Sequence, residues 1–170
     1  MEEQGDVCKE NVFKNLFDSI SQELHNFIYY KFGKDNNPED LVQEAFIKLW
    51  DNCHKVSIEN ARGFLFTVAN NLSINAAARA KTALNYRANN PGNEVDPENP
   101  QFKLELEEFD NRLKTALENL TEDQRTTFLM NRIDGLKHRE IAELLGISQK
   151  AVEKRIYTAL KKLKDELGNI

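Results

Sequence analysis

One stretch limits the fold of this chain more than any other: residues 89–100 read NNPGNEVDPENP, with three of the four prolines and no apolar side chain except Val95. Proline lacks the N–H that a helix needs and pushes the residue before it into extended backbone, so no helix runs through this segment. It reads as a linker, and the chain becomes two separate helical parts. The prior for helix comes from composition: 7 Gly and 4 Pro in 170 residues are too few for an all-β chain built on tight turns, while Leu, Ala, Glu and Lys recur throughout. The expected fold class is all-α, two small helical domains (1–86 and 104–170) joined by an acidic, Pro-containing linker (87–103), with a helix-turn-helix at the C-terminal end.

Apolar spacing gives the elements. Val12, Phe13, Leu16, Phe17, Ile20, Leu24, Phe27 and Ile28 recur at three- and four-residue steps, which predicts an amphipathic helix ending near Gly33. Asn37 reads as the N-cap of a second helix, with Pro38 in its first position, Glu39 and Asp40 in its first turn, and an end near Asn52. A third, opened by Asn60, runs from Ala61 to about Leu84 with Phe64, Leu65, Val68 and Leu72 inward. Beyond the linker, Leu104, Leu106, Phe109, Leu113, Ala116, Leu117 and Leu120 predict a fourth helix, and Thr121-x-x-Gln124 is a capping box for a fifth that stops at Gly135. A short helix from about Lys137 to Leu145, a turn at Gly146 and a long helix from Ser148 to about Leu167 complete the chain.

Net charge is −5, which as a single number argues against a nucleic-acid partner. Resolved along the chain it does not. Residues 1–84 carry 9 basic and 12 acidic side chains, residues 85–110 carry 2 and 7, and residues 111–170 carry 12 and 9. Within 137–164 there are 8 basic and 3 acidic, a balance of +5. The acidity sits in and just after the linker, and the excess of positive charge in the last two helices.

Those two helices read HREIAELLGISQKAVEKRIYTAL, the pattern of a helix-turn-helix. Ile141, Ala142 and Leu145 face inward on the first helix, Ile147 plugs the turn, and Val152, Ile156 and Leu160 face inward on the second. Ala142 is small where the helices cross, and Gly146 supplies a turn conformation that a side chain would resist. Outward on the second helix stand Gln149, Lys150, Glu153, Lys154, Tyr157, Thr158 and Lys161. Amides and ammonium groups suit base edges in a major groove, and cations suit phosphate. Lys137, His138, Arg139, Ser148 and Arg155 complete the candidate duplex-binding set. Glu153 would repel phosphate, so its expected roles are accepting from a cytosine amino group or bracing Lys150 or Lys154.

Over most of both parts the chain resembles a bacterial extracytoplasmic-function sigma factor of the sigma-70 superfamily. The matching stretches are DLVQEAFIKLW (40–50), ENARGFLFTVANNLSIN (59–75) and the run from Leu117 to Lys164. The resemblance implies a subunit that joins core RNA polymerase, directs it to promoter DNA and helps open the duplex. The second helix would dock on the clamp helices of the largest polymerase subunit, and the flap of the core enzyme is a further implied contact. Asp40, Gln43, Glu44 and Ile47 share one stripe of that helix, with Val42, Phe46, Leu49 and Trp50 on another, and an outward Ile among acids suits a protein surface. In the third helix the resemblance assigns Thr67, Asn70, Asn71, Asn75, Arg79 and Lys81 to the −10 element, where amides can read an unstacked base and a guanidinium can hold phosphate. It assigns the helix-turn-helix to the −35 element. The linker acids Glu94, Asp96 and Glu98 would imitate nucleic-acid charge in a positively charged channel, or form a plain tether. An anti-sigma factor and a further DNA-targeting factor are the remaining candidate partners.

The chain also departs from the family pattern. The family often has Arg where Asn70 stands, an acid at Asn75, and consecutive basic residues at Ala78-Arg79; here the helix reads Asn75-Ala76-Ala77-Ala78-Arg79-Ala80-Lys81. In the recognition helix it commonly has basic or small residues at Glu153 and Lys154, and often Arg at Thr158. Each missing phosphate contact changes the log-log salt slope by about 0.9 on duplex or 0.7 on a single strand. Weak or atypical autonomous promoter recognition is the expectation.

Other functions have less support. A stand-alone helix-turn-helix regulator with an N-terminal dimerisation domain would bind duplex tightly without polymerase. An enzyme has little basis: His25, His54 and His138 are scattered, and there is no phosphate-binding glycine loop. No cofactor or metal is expected. Cys8 and Cys53 offer no disulfide framework, Cys53-His54 lacks zinc spacing, and both thiols read as structural or incidental. No apolar run is long enough to span a bilayer and the first residues are acidic, so the chain reads as cytoplasmic.

Overall fold

A computed structural model describes residues 6–89 and 111–168, and every α-helix in it but the outer half of α3 follows from a stripe of apolar residues. The helices are α1 (Glu10–Phe32), α2 (Pro38–Asp51), α3 (Ile58–Asn89), α4 (Asn111–Glu118), α5 (Glu122–Arg132), α6 (His138–Leu145) and α7 (Gln149–Leu167), with a single 3₁₀ turn, Lys34–Asn36, before α2. The linker acids Glu94, Asp96 and Glu98, and the apolar positions Leu104, Leu106 and Phe109, lie outside the described residues.

Helices α1, α2 and α3 form the N-terminal unit. Leu24, Phe27 and Ile28 of α1, Ala45, Phe46 and Leu49 of α2, and Ala61, Leu65, Phe66 and Ala69 of α3 are all buried together. Phe27 and Phe66 meet with ring centroids 5.2 Å apart, and Phe13 and Phe17 set their edges on Phe46 at 5.8 and 4.9 Å. The inward face of α3 is wider than its apolar spacing predicts, since Phe66, Ala69 and Ser73 are buried while Phe64, Val68 and Leu72 are only half-buried. Ser73 is accommodated because its hydroxyl donates to the Ala69 carbonyl at 2.7 Å.

Two helix starts differ from expectation. Asn37 precedes Pro38 but makes no side-chain cap; it takes left-handed backbone at φ 47° and ψ 67°, a conformation asparagine tolerates, and its carbonyl accepts from Asp40 and Leu41. Asn60 does not open α3, which begins at Ile58; the Asn60 amide donates instead to the Ser57 hydroxyl at 3.0 Å. At its other end α3 continues past Leu84 to Asn89, because nothing before the prolines stops it.

In the C-terminal unit the termini behave as the sequence predicts. Thr121 and Gln124 form the capping box of α5, and the Ser148 hydroxyl accepts from Ala151 N–H at 3.1 Å to open α7. Gly146 closes α6 with φ 64°, a left-handed position. The core comprises Leu117, Leu120, Leu129, Met130, Ile141, Val152, Ile156, Ala159 and Leu163, with Leu145, Ile147 and Leu160 half-buried at its margin.

The two units pack on each other, α1 against α5 and α3 against α6. Arg125 of α5 is buried, and it donates from Nε to the Tyr30 carbonyl (2.9 Å) and from Nη2 to the Lys31 carbonyl (3.3 Å). A cation at the C-terminal end of α1 answers both the unpaired carbonyls and the helix dipole. Desolvation lowers the pKa of this guanidinium. Beside it Asp134 Oδ1 accepts from Tyr30 Oη and from the Asn26 amide, each at 3.0 Å, while Oδ2 is buried without a hydrogen-bond partner among the described residues. Burial raises the Asp134 pKa, and it pushes the Tyr30 phenol upward as well.

The cysteine reading is corrected by the fold. Cys8 and Cys53, 45 residues apart, are joined as a disulfide, with Cα atoms 5.0 Å apart. Spacing in sequence carries no trace of this, because the contact arises only when the turn before α1 meets the turn after α2.

Candidate nucleic-acid interface

Helix α7 turns one face into the C-terminal core through Val152, Ile156, Ala159 and Leu163, leaving Gln149, Lys150, Glu153, Lys154, Tyr157 and Lys161 exposed on the other. Tyr157 is 70% exposed, an unusual exposure for a ring of that size. Thr158 is half-buried and gives its hydroxyl to the Lys154 carbonyl at 2.8 Å. The helix start is fixed twice, by the Ser148 cap and by the Gly146 turn. Lys137 N–H is held by Glu140 at 2.8 Å, which orients the start of α6, and Arg139 is exposed beside Glu143 at 3.0 Å.

Besides Thr158, Arg155 and Glu153 are placed differently from the rest of the predicted set. Arg155 points away from the exposed row: its side chain is 27% exposed and Nη2 reaches Asp123 Oδ2 at 3.0 Å, tying α7 to α5. Glu153 braces neither Lys150 nor Lys154. It accepts from the Gln149 amide at 3.4 Å and lies 3.9 Å from His138 Nδ1, so one carboxylate joins the two helices of the motif.

On α2, Asp40, Gln43, Glu44 and Ile47 are all exposed on one side, and Val42, Phe46 and Leu49 are buried on the other. Ile47 is 60% exposed. Trp50, assigned by spacing to the inner stripe, is 45% exposed; Phe13 packs on it with centroids 5.0 Å apart, and its outer part extends the apolar end of the α2 surface.

On α3 the predicted residues separate into two groups. Asn71, Asn75, Arg79 and Lys81 are exposed along the outer half of the helix. Thr67 and Asn70 instead line a cleft between the units, together with Phe27, Lys31, Ile147 and Arg155. Lys31 was missed by sequence reasoning. It belongs to α1, yet its ammonium donates to Asn70 Oδ1 at 2.8 Å, adding a cation to the α3 face that periodicity along α3 could not reveal.

Both units match known family models. Residues 16–82 match the family model described as Sigma-70 region 2, and residues 110–163 match Sigma-70, region 4. The chain belongs to the sigma-70 family, in its extracytoplasmic-function group. Among its relatives, the ECF RNA polymerase sigma factor SigW of Bacillus subtilis (strain 168) is 26% identical over 174 residues, covering 95% of this chain and 91% of that protein. The ferric citrate uptake sigma factor FecI of Escherichia coli (strain K12) is 26% identical over 165 residues, covering 95% and 94%. The fold resembles that of RpoE in its co-crystal structure with the anti-sigma factor NepR from Bartonella quintana, with a TM-score of 0.65 at 22% identity over 91% of this chain and 96% of that one.

As a sigma factor the chain directs RNA polymerase to promoters and is not an enzyme. Region 2 contains α1–α3 with the exposed α2 and α3 rows, and region 4 contains the helix-turn-helix of α6 and α7. Among the described residues no helix is long and apolar enough to cross a membrane.

Proposed function

We propose that this sigma factor binds core polymerase through Asp40, Gln43, Glu44 and Ile47 of α2, contacts the −10 element through the outer row of α3 and the −35 element through α7, and recognises promoters only weakly by itself. Its working division is 1–86, a linker at 87–103, and 104–170. The observation that carries the weak-recognition reading is the composition of the two exposed rows. Along α3, Ala76, Ala78 and Ala80 occupy positions around Asn75, Arg79 and Lys81, so few cations face outward there. Along α7, Glu153 stands exposed among Lys150, Lys154 and Tyr157. Fewer phosphate contacts mean lower affinity and a shallower salt dependence.

The packing of the two units supports the same reading. The −35 and −10 elements are ~25 base pairs apart, or ~85 Å of duplex at about 3.4 Å per step. With region 4 seated on α1 and α3, α7 and the outer row of α3 cannot span that distance together, so promoter engagement requires release of the Arg125 and Asp134 contacts. The free energy of that release is subtracted from an already small DNA affinity, which leaves recruitment by another DNA-bound factor as the route to full occupancy. Transcription in vitro with purified core polymerase tests this. Sparse initiation that rises when a second DNA-binding factor is tethered nearby is expected; strong initiation from a discrete promoter set with core polymerase alone would refute it. An anti-sigma factor that holds region 4 against region 2 is a further expected partner, detectable by co-purification.

A further inference from the structure

We propose that Cys8 and Cys53 form a reversible thiol–disulfide site on region 2, oxidised by hydroperoxides, in which Cys8 is the sulfur that reacts first. The pair belongs to neither the polymerase-facing nor the DNA-facing rows, and three observations carry the assignment.

Accessibility separates the two sulfurs. Cys53 is 8% exposed, its N–H bonded to the Trp50 carbonyl at 3.1 Å, whereas Cys8 is only half-buried at the start of α1. A small oxidant therefore meets Cys8 before Cys53. The second observation is a base at the accessible sulfur: His54 Nδ1 lies 3.1 Å from Cys8 Sγ, with His54 itself exposed. With its hydrogen on Nδ1 the imidazole donates to the sulfur, and in the other tautomer the same nitrogen can accept from a Cys8 thiol. Asp6, whose carboxylate accepts from Cys8 N–H at 3.0 Å, is the charge that opposes thiolate formation, but it is engaged with backbone. The third is backbone geometry: the turn before α1 and the turn after α2 bring the two Cα atoms to 5.0 Å, within the range a disulfide uses.

The chemistry balances with a hydroperoxide as oxidant. Cys8 thiolate attacks one peroxide oxygen; the O–O bond breaks, ROH leaves after taking a proton, and Cys8 becomes a sulfenic acid. Cys53 thiolate then attacks Cys8 Sγ, the S–O bond breaks, and water leaves with the Cys53 proton. Two electrons have passed from the two thiols to the peroxide. A dithiol reductant restores the thiols: one of its thiolates attacks Cys8 Sγ and expels Cys53 thiolate, then its second thiolate attacks the reductant sulfur of that mixed disulfide and expels Cys8 thiolate, and both cysteines regain their protons. In the thiol-reducing space where RNA polymerase works, a disulfide of this type is transient and sensing rather than structural.

What the bond holds is specific. Val7, beside Cys8, is 1% exposed, and Phe13 one turn into α1 packs on Trp50 at the end of α2. Oxidation ties the 6–9 segment covalently to the turn after α2, and with it the ring that backs Trp50; reduction removes that covalent tie.

The test uses the reduced full-length chain, treated with a small excess of hydrogen peroxide and then with a polyethylene-glycol maleimide. The expected result is loss of both free thiols within one chain, a mass lower by two hydrogens, recovery on adding a dithiol, and slower amide exchange at 6–9 in the oxidised form. In Cys53→Ser, dimedone traps a sulfenic acid on Cys8; in Cys8→Ser, Cys53 reacts at least ~10-fold more slowly. Cys53→Ala replaces Cys53→Ser if circular dichroism shows the latter unfolded. Persistence of both thiols, bonds between chains, faster reaction at Cys53, or a stoichiometric zinc ion held by Cys8, Cys53 and His54 that blocks oxidation would overturn the assignment.

Discussion

Arg125→Met should loosen region 4 from region 2 without unfolding either. In the native chain the buried guanidinium donates to the Tyr30 and Lys31 carbonyls at 2.9 and 3.3 Å. Hydrogen bonds from a charged donor contribute about 1.5–3 kcal/mol each, and the shorter of the two is the stronger. Against this stands the cost of keeping an arginine out of water, visible in its lowered pKa, which is recovered when the unit opens. Methionine keeps the apolar stem but leaves two carbonyls unanswered. A net loss of about 2 kcal/mol changes the packed-to-open ratio ~30-fold. Distances between spectroscopic labels at exposed positions of α1 and α7, such as Asn15 and Asp165, report that ratio directly. The expected result is a broad, longer distance distribution in the variant, with helicity unchanged by circular dichroism. A distribution identical to that of the native chain would refute the view that Arg125 holds the units together.

Further outcomes follow from the same geometry. Because burial raises the Asp134 pKa, the packed state binds more protons than the open one; its advantage is fully present below the ordinary carboxylate range and is lost as pH rises through the raised value. The label distance should therefore lengthen with rising pH, and Asp134→Asn, which keeps the acceptor for Tyr30 and Asn26, should flatten that dependence and favour packing at neutral pH. Glu153→Gln should raise the affinity of region 4 for duplex and steepen its salt dependence, read by fluorescence anisotropy across salt concentrations. Gly146→Val places a β-branched residue at φ 64° and should cost at least ~1–2 kcal/mol of region 4 stability by thermal melting, although open space surrounds the site. Ile47→Glu should weaken capture of core polymerase at least tenfold in a pull-down while leaving the melting temperature unchanged, since the side chain is 60% exposed.

Much of the fold was legible because it is local. The capping box at Thr121 and Gln124, the Ser148 cap, the glycine at 146 and the three- and four-residue apolar steps act between neighbours in sequence, so the elements of region 4 and the exposed rows of α2 and α7 could be assigned before any coordinate. The errors fall where a local signal met competition. Asn60 is a good cap in isolation, but Ser57 lies ahead of it and α3 begins at Ile58. Trp50 shares a stripe with the buried Val42, Phe46 and Leu49, yet α2 ends at Asp51 and the ring stays 45% exposed with Phe13 packed on it.

The sequence by itself determined the helices, the break between the two units, and the segregation of charge that turns a net −5 into a basic recognition helix and an acidic linker. These depend on backbone propensity, periodicity and counting, which need no knowledge of distant residues. Only the tertiary structure decided that Cys8 meets Cys53, that Lys31 of α1 reaches Asn70 of α3, that Arg155 is taken by Asp123, and that Arg125 closes region 4 onto the end of α1. Each of these pairs residues separated by 32 to 95 positions. A contact of that range is set by how whole helices pack, and helix packing is a property of complementary surfaces that no single stretch of sequence contains.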